Sequence, residues 1–142
     1  MSNIRNDSNA SSSSNALVSW SEVSGSDQST ALILLQSVTE IVSPHFSLLP
    51  EQSADSQDPS TLFERLKAML RHAVIHLLDS DMNRLIQILY RIDVDESKVT
   101  TAFASDPITE IPDRLTELIL ERQMQKAIFR YQYEKSLEAA QE

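Results

Sequence analysis

The stretch Leu89–Val99, "LYRIDVDESKV", decides how the rest of the chain is read. It brings Asp93, Asp95 and Glu96 within four residues of each other, directly behind an apolar helical pattern. Such a cluster suits a cation site, an acid/base pair, or the junction of two helices. A calcium loop needs oxygen ligands at positions 1, 3, 5 and 12 and a glycine at 6 for its sharp turn. Counted from Asp93, position 3 is Asp95 and position 5 is Ser97, but Lys98 stands at 6 and Ala104 at 12. The turn and the bidentate carboxylate are both missing. An acid/base pair needs burial or like-charge repulsion to split the two pKa values, and a polar connector beside Lys98 offers neither. The junction remains. Asp93 or Asp95 accepts the free N–H groups of a helix from about 96 to 104, and Glu96 suits its positive end.

Outward from this junction the apolar periodicity is helical in both directions. Met82, Leu85, Ile86, Leu89 and Ile92 form one face, with Asn83, Arg84, Gln87 and Arg91 opposite. Before it, Leu62, Phe63, Leu66, Met69, Leu70, Ala73, Leu77 and Leu78 follow the 3.6 period and predict a core helix over about 61–78, with Ser60 as its cap. Ala31, Leu34, Leu35, Val38, Ile41 and Val42 predict an earlier amphipathic helix over 30–44, capped by Ser29 or Thr30 and stopped by Pro44. A last helix runs from near Pro112 to about Lys135. One glycine, five prolines and 41% apolar residues, with leucine and isoleucine prominent, agree with an all-α fold. The expectation is a small bundle of four to five helices, its main domain at 61–142 preceded by the 30–44 helix and a polar linker at 45–60.

Residues 1–29 contain eleven serines and few apolar groups, the composition of a disordered tail that buries too little to offset the entropy of ordering. Within it "ALVSW", Ala16–Trp20, holds Leu17, Val18 and the single tryptophan; it reads as a scattered apolar cluster or as a short docking motif for another protein. Residues 1–59 carry one basic group against seven acids, and residues 60–142 carry 11 against 14, so most of the net charge of −9 belongs to the first part. A chain with no basic excess argues against nucleic acid as a partner. The absence of cysteine removes thiolate metal sites and thiol nucleophiles. No apolar run approaches the roughly 20 residues of a membrane span or the pattern of a secretory signal, which predicts a cytoplasmic protein.

Three constellations carry candidate chemistry. His72, His76 and Asp79 share one helix face at spacings of four and three and resemble part of a zinc-ligand set, as for a metal-dependent hydrolase. They lie on the edge of the apolar face, however, and need a further ligand such as His45 or Asp81, so a solvated flank is the simpler reading and no metal is assigned. Arg122, Lys126 and Arg130 form a basic stripe near Phe129, Tyr131 and Tyr133 that suits phosphates and bases; the same residues also complement the negative end of a helix. The one glycine, Gly25, provides no phosphate loop, and no local nucleophile arrangement is present. Neither an enzyme nor a cofactor is expected.

The last helix has two apolar stripes. Ile111, Leu115, Leu118 and Ile119 point one way, whereas Leu120, Met124, Ala127 and Tyr131 lie roughly opposite. One core needs one face. The spare stripe can receive the 30–44 helix of the same chain or the same stripe of a second copy around a two-fold axis, and the second is taken as the leading expectation. About 24 helical residues span roughly 36 Å, against a radius of gyration of about 12 Å for a domain of this size, so the far end overhangs or meets another surface. A protein–protein interaction module, with another protein or itself as partner, follows.

"LYRIDV" at Leu89–Val94 and "ERQMQK" at Glu121–Lys126 resemble a group of small uncharacterised bacterial helical proteins. The resemblance covers roughly residues 66–131 and implies a cytoplasmic helical domain, with no activity to carry over. Within its motifs Tyr90 and Arg91, together with Arg122 and Gln123, form a candidate joint interaction surface; ordinary pairing between adjacent helices is the alternative.

Overall fold

The computed structural model describes residues 27–48 and 58–141. Among them are five α-helices and no strand: α1 (Gln28–Phe46), α2 (Pro59–Ser80), α3 (Met82–Arg91), α4 (Glu96–Phe103) and α5 (Ile111–Ala140), with a 3-10 turn at Ile108–Glu110. Most of the expected tail, and the centre of the expected linker, lie outside the described residues. Among the described residues no helix is long and apolar enough to cross a membrane.

Aspartates start the first four helices. Asp27 accepts the N–H of Thr30 at 2.7 Å, Asp58 that of Thr61 at 3.1 Å, Asp81 that of Arg84 at 3.1 Å and Asp95 that of Ser97 at 2.9 Å. The sequences "DQST" and "DPST" thus open α1 and α2 alike, with Pro59 at the first turn, where a missing N–H costs nothing. Ser29, Thr30 and Ser60, read as caps from sequence, belong to the first turns instead. The carboxylate binds the free N–H groups with a full charge that the hydroxyl lacks. Asp81 also ends α2: its N–H bonds Leu77 O at 2.8 Å, so one residue both closes a helix and opens the next.

Two of the C-terminal ends, those of α1 and α3, use the left-handed region without glycine. Ser47 (φ 56) closes α1, with the Leu48 N–H on Ser43 O at 3.0 Å, and Asp93 (φ 72) closes α3. Pro44 does not stop α1. It lies in the last turn, where the one hydrogen bond lost to its ring is offset by burial of Phe46 beyond it.

Helix α5 is the axis of the fold. It packs against α1, α2 and α4, and α2 packs against both α1 and α3. Leu115, Ile119, Leu120, Met124 and Ala127 of α5 join one core with Leu34, Leu35, Val38 and Val42 of α1, Leu66, Leu70 and Val74 of α2, and Leu85, Ile88 and Leu89 of α3. This corrects the expectation of a dimer through the last helix. Leu120, Met124 and Ala127 are buried within one chain, and Tyr131 is half-buried with its hydroxyl 3.5 Å from Thr30 Oγ1. The physical reason is length: α1 spans 19 residues, long enough to cover the second stripe. Beyond Tyr131 every residue of α5 is exposed, so the 30-residue helix, about 45 Å long, does overhang. Arg71 ion-pairs with Asp113 and so ties the middle of α2 to the first turn of α5.

Two outcomes are expected. The hydrogen bonds to Thr30 and Thr61 hold the Asp27 and Asp58 carboxyls below their usual range, and those to Ser97 do the same for Asp95. A depressed carboxyl contributes stability above its unfolded pKa of about 3.9 and loses it as pH falls through the folded value. The triple change Asp27→Asn, Asp58→Asn and Asp95→Asn keeps a capping side chain but removes the titration, so its melting temperature falls less steeply than that of the wild type below about pH 4. Leu120→Glu and Met124→Glu each bury a charge without a partner. They should lower the unfolding free energy in urea by at least about 3 kcal/mol, whatever the protein concentration.

Candidate functional site

The acidic cluster is a helix junction held from across the fold. Leu89–Val94 forms the closing motif of α3: the Asp93 N–H bonds Tyr90 O at 3.1 Å, and the Val94 N–H reaches Leu89 O at 3.0 Å. Leu89 and Val94 are both buried, which completes the motif with its usual apolar contact. Glycine normally occupies the left-handed position; an aspartate is tolerated there because its side chain is short and polar. The turn leaves the Ile92 and Asp93 carbonyls outside the helical ladder, and α5 supplies their donors. Gln123 Nε2 donates to Ile92 O at 2.7 Å, with Lys126 Nζ at 3.5 Å from the same oxygen. Arg122 donates from Nε to Asp93 O at 3.0 Å and from Nη2 to Asp93 Oδ2 at 2.9 Å. That hydrogen bond, followed by the guanidinium charge, holds the Asp93 carboxyl below the usual range.

Of the three acids, Asp95 caps α4, whereas Asp93 pairs with Arg122 and caps nothing. Glu96 accepts the Tyr90 hydroxyl at 2.7 Å, and this bond and the carboxylate charge push the Tyr90 pKa up. The ring of Tyr90, 58% exposed, is thereby tethered between α3 and α4. Tyr90 lines an apolar cleft of about 260 Å³ together with Ile86, Leu89, Val94, Val99 and Phe103. On the other side of the turn a polar cleft of about 290 Å³ is lined by Asp93, Asp95, Lys98, Glu121, Arg122 and Gln125. Glu121 is buried there; its Oε2 accepts no hydrogen bond and is 3.8 Å from Lys98 Nζ.

The four residues read as a joint surface separate. Tyr90 and Arg91 are exposed. Gln123 is fully buried and is corrected from surface to core, because the Ile92 carbonyl needs its amide; Arg122 is half-buried and engaged by Asp93. The basic stripe divides in the same way. Arg122 and Lys126 point to the turn of α3, and Arg130 remains exposed.

His72 and His76 share one groove with the further ligands that sequence named for them. With His45 and Asp81 they line a groove of about 860 Å³ between the end of α1 and the α2–α3 junction, alongside Arg84 and the apolar Phe46, Leu48, Met69 and Leu77. Asp79 does not line it. No three His, Asp or Glu side chains among the described residues are placed to hold one metal ion.

Sequence reasoning missed Gln123 as the anchor of the turn and the cleft beneath Tyr90. The first had a signal: Thr116, Leu120, Gln123 and Ala127 recur at spacings of four, three and four, so a polar side chain stood at a core register. A buried polar group there requires a partner. The cleft had no local signal, because α3 and α4 supply it jointly. Searches of protein-family models, of curated proteins and of solved structures find no match for this chain.

Gln123→Leu removes the donor to Ile92 O while keeping most of the volume. It should cost about 1–3 kcal/mol in urea-induced unfolding and speed hydrogen exchange at the Asp93 and Val94 amides.

Proposed function

We propose that the protein is a non-enzymatic protein-interaction module whose docking surface is the cleft between α3 and α4. The observation that carries this reading is Tyr90: a large aromatic ring, exposed yet tethered by its hydroxyl to Glu96, over an apolar cleft. An aromatic side chain already ordered before binding loses little entropy on contact, which is why such residues dominate binding energy. The apolar surface continues along α3 through Ile86 and Met82, both exposed and spaced four apart.

The occupant that fits is an amphipathic helix of a partner protein with basic flanks. A cleft of about 260 Å³ accepts one large aliphatic side chain and falls below the roughly 300–1,000 Å³ of small-molecule sites. The Met82–Ile86–Tyr90 stripe, about 12 Å long, matches two turns of a helix presenting residues at i and i+4. Charge favours a basic flank: Glu96 lines the α4 side of the cleft, and residues 60–142 carry 14 acids against 11 basic groups.

The test is selection from a displayed library of helical peptides with apolar residues at i and i+4 and either Lys/Arg or Glu/Asp flanks. Basic-flanked members should be enriched, shift the amide resonances of Ile86, Tyr90, Val99 and Phe103, and bind Ile86→Asp at least about tenfold more weakly, a loss of roughly 1.4 kcal/mol. No enrichment, or unchanged binding to Ile86→Asp, overturns the reading.

A further inference from the structure

The overhang of α5 carries an apolar stripe that no described residue covers. Phe129, Tyr133 and Leu137, spaced by four, are 77%, 65% and 45% exposed. Their face is not the one that meets α1. Tyr131 is two residues from both Phe129 and Tyr133, hence about 200° around the helix from each, and it is Tyr131 that approaches Thr30. The first turn of α1 therefore lies against this part of α5. The chain preceding Asp27 departs from the same place: after the hydrogen bonds to Thr30, the charge of Lys135 also helps to hold the Asp27 carboxyl low.

The residues before Asp27 contain one dense apolar segment, Ala16–Trp20, with Leu17, Val18 and the single tryptophan of the chain. We infer that this segment docks on the Phe129, Tyr133 and Leu137 face of α5 in its own chain, as an intramolecular clasp over the helix end. Reach permits it. Six residues lie between Trp20 and Asp27, and the seven steps span up to about 24 Å, while half the circumference of a helix about 10–12 Å across is roughly 16–19 Å.

Tethering also favours the intramolecular occupant. A short linker holds the segment at an effective concentration on the order of millimolar, so a weak apolar contact suffices. A second copy of the chain needs far more surface. At roughly 150–250 Å² per large side chain, the exposed fractions of the three residues amount to roughly 400 Å². That is about half of the 800 Å² that each partner buries in a standard interface.

Because Trp20 is the sole tryptophan, its fluorescence reports the contact directly. In the full chain its emission should be blue-shifted, and less accessible to acrylamide, than in a peptide of residues 10–27, independently of dilution. The double variant Phe129→Asp, Tyr133→Asp should return both readings to those of the peptide, while far-UV circular dichroism, which follows the helices, stays unchanged. Peptide-like emission from the wild type overturns the inference. So does a blue shift that survives in the double variant, or one that disappears on dilution and so assigns the face to a second copy.

Discussion

Helix α5 must be buried on two opposite sides, and every other helix takes its place from that requirement. Leu115 and Ile119 lie on one side and Leu120, Met124 and Ala127 on the other, all in one core to which α1, α2 and α3 contribute, and α5 packs on both α1 and α2. Fully burying a leucine or methionine contributes about 1.5–3 kcal/mol, so Leu120 and Met124 weigh heavily in whether α1 belongs to the fold. A helical unit of this size has little stability to spare without it. The same covering removes these residues from any external surface, and the docking surface proposed above lies instead on α3 and α4.

The second constraint is polar and local. A helix that ends in the left-handed turn of Asp93 satisfies two of its own carbonyls and presents two others to its neighbour. Gln123 and Arg122 meet them from adjacent positions on α5, one from inside the core and one from its edge. Apolar packing fixes which face of α5 is inward but tolerates sliding along the axis. A buried amide bonded to one particular carbonyl sets the register, since an unpaired carbonyl at that depth is costly. The position of Tyr90 relative to α4, and with it the cleft, follows from that register.

Much of the fold was legible in the sequence, since the helices are encoded in local periodicity. The apolar spacing gave α2, α3 and α5, and the junction at Leu89–Val99 was read as a cap rather than a metal site. The starts are less legible locally: serine and threonine are common caps, but an aspartate two or three residues earlier binds the N–H groups with a full charge. Pro44 misled because its effect depends on depth in the helix, and burial of Phe46 beyond it is not visible in a window of neighbours. The candidate site was less legible. Asp93 and Arg122 are 29 residues apart, and His45 comes to line one groove with His72 and His76 only once α1 lies on α2. Such encounters are set by packing, so sequence can name the participants without saying which of them meet.

The contact between Thr30 and Tyr131 joins residues 101 positions apart. At roughly 5–20 residues per second of synthesis, Leu34, Leu35, Val38 and Val42 leave the ribosome about 5–20 s before the stripe of α5 that shares their core. Helix α2 is made sooner and packs on part of α1, but the remainder waits in water until α5 is made. Helix α1, made before the other described helices, is thus among the last of them to be fully sheltered, and in that interval its apolar face is open to contacts other than its native ones.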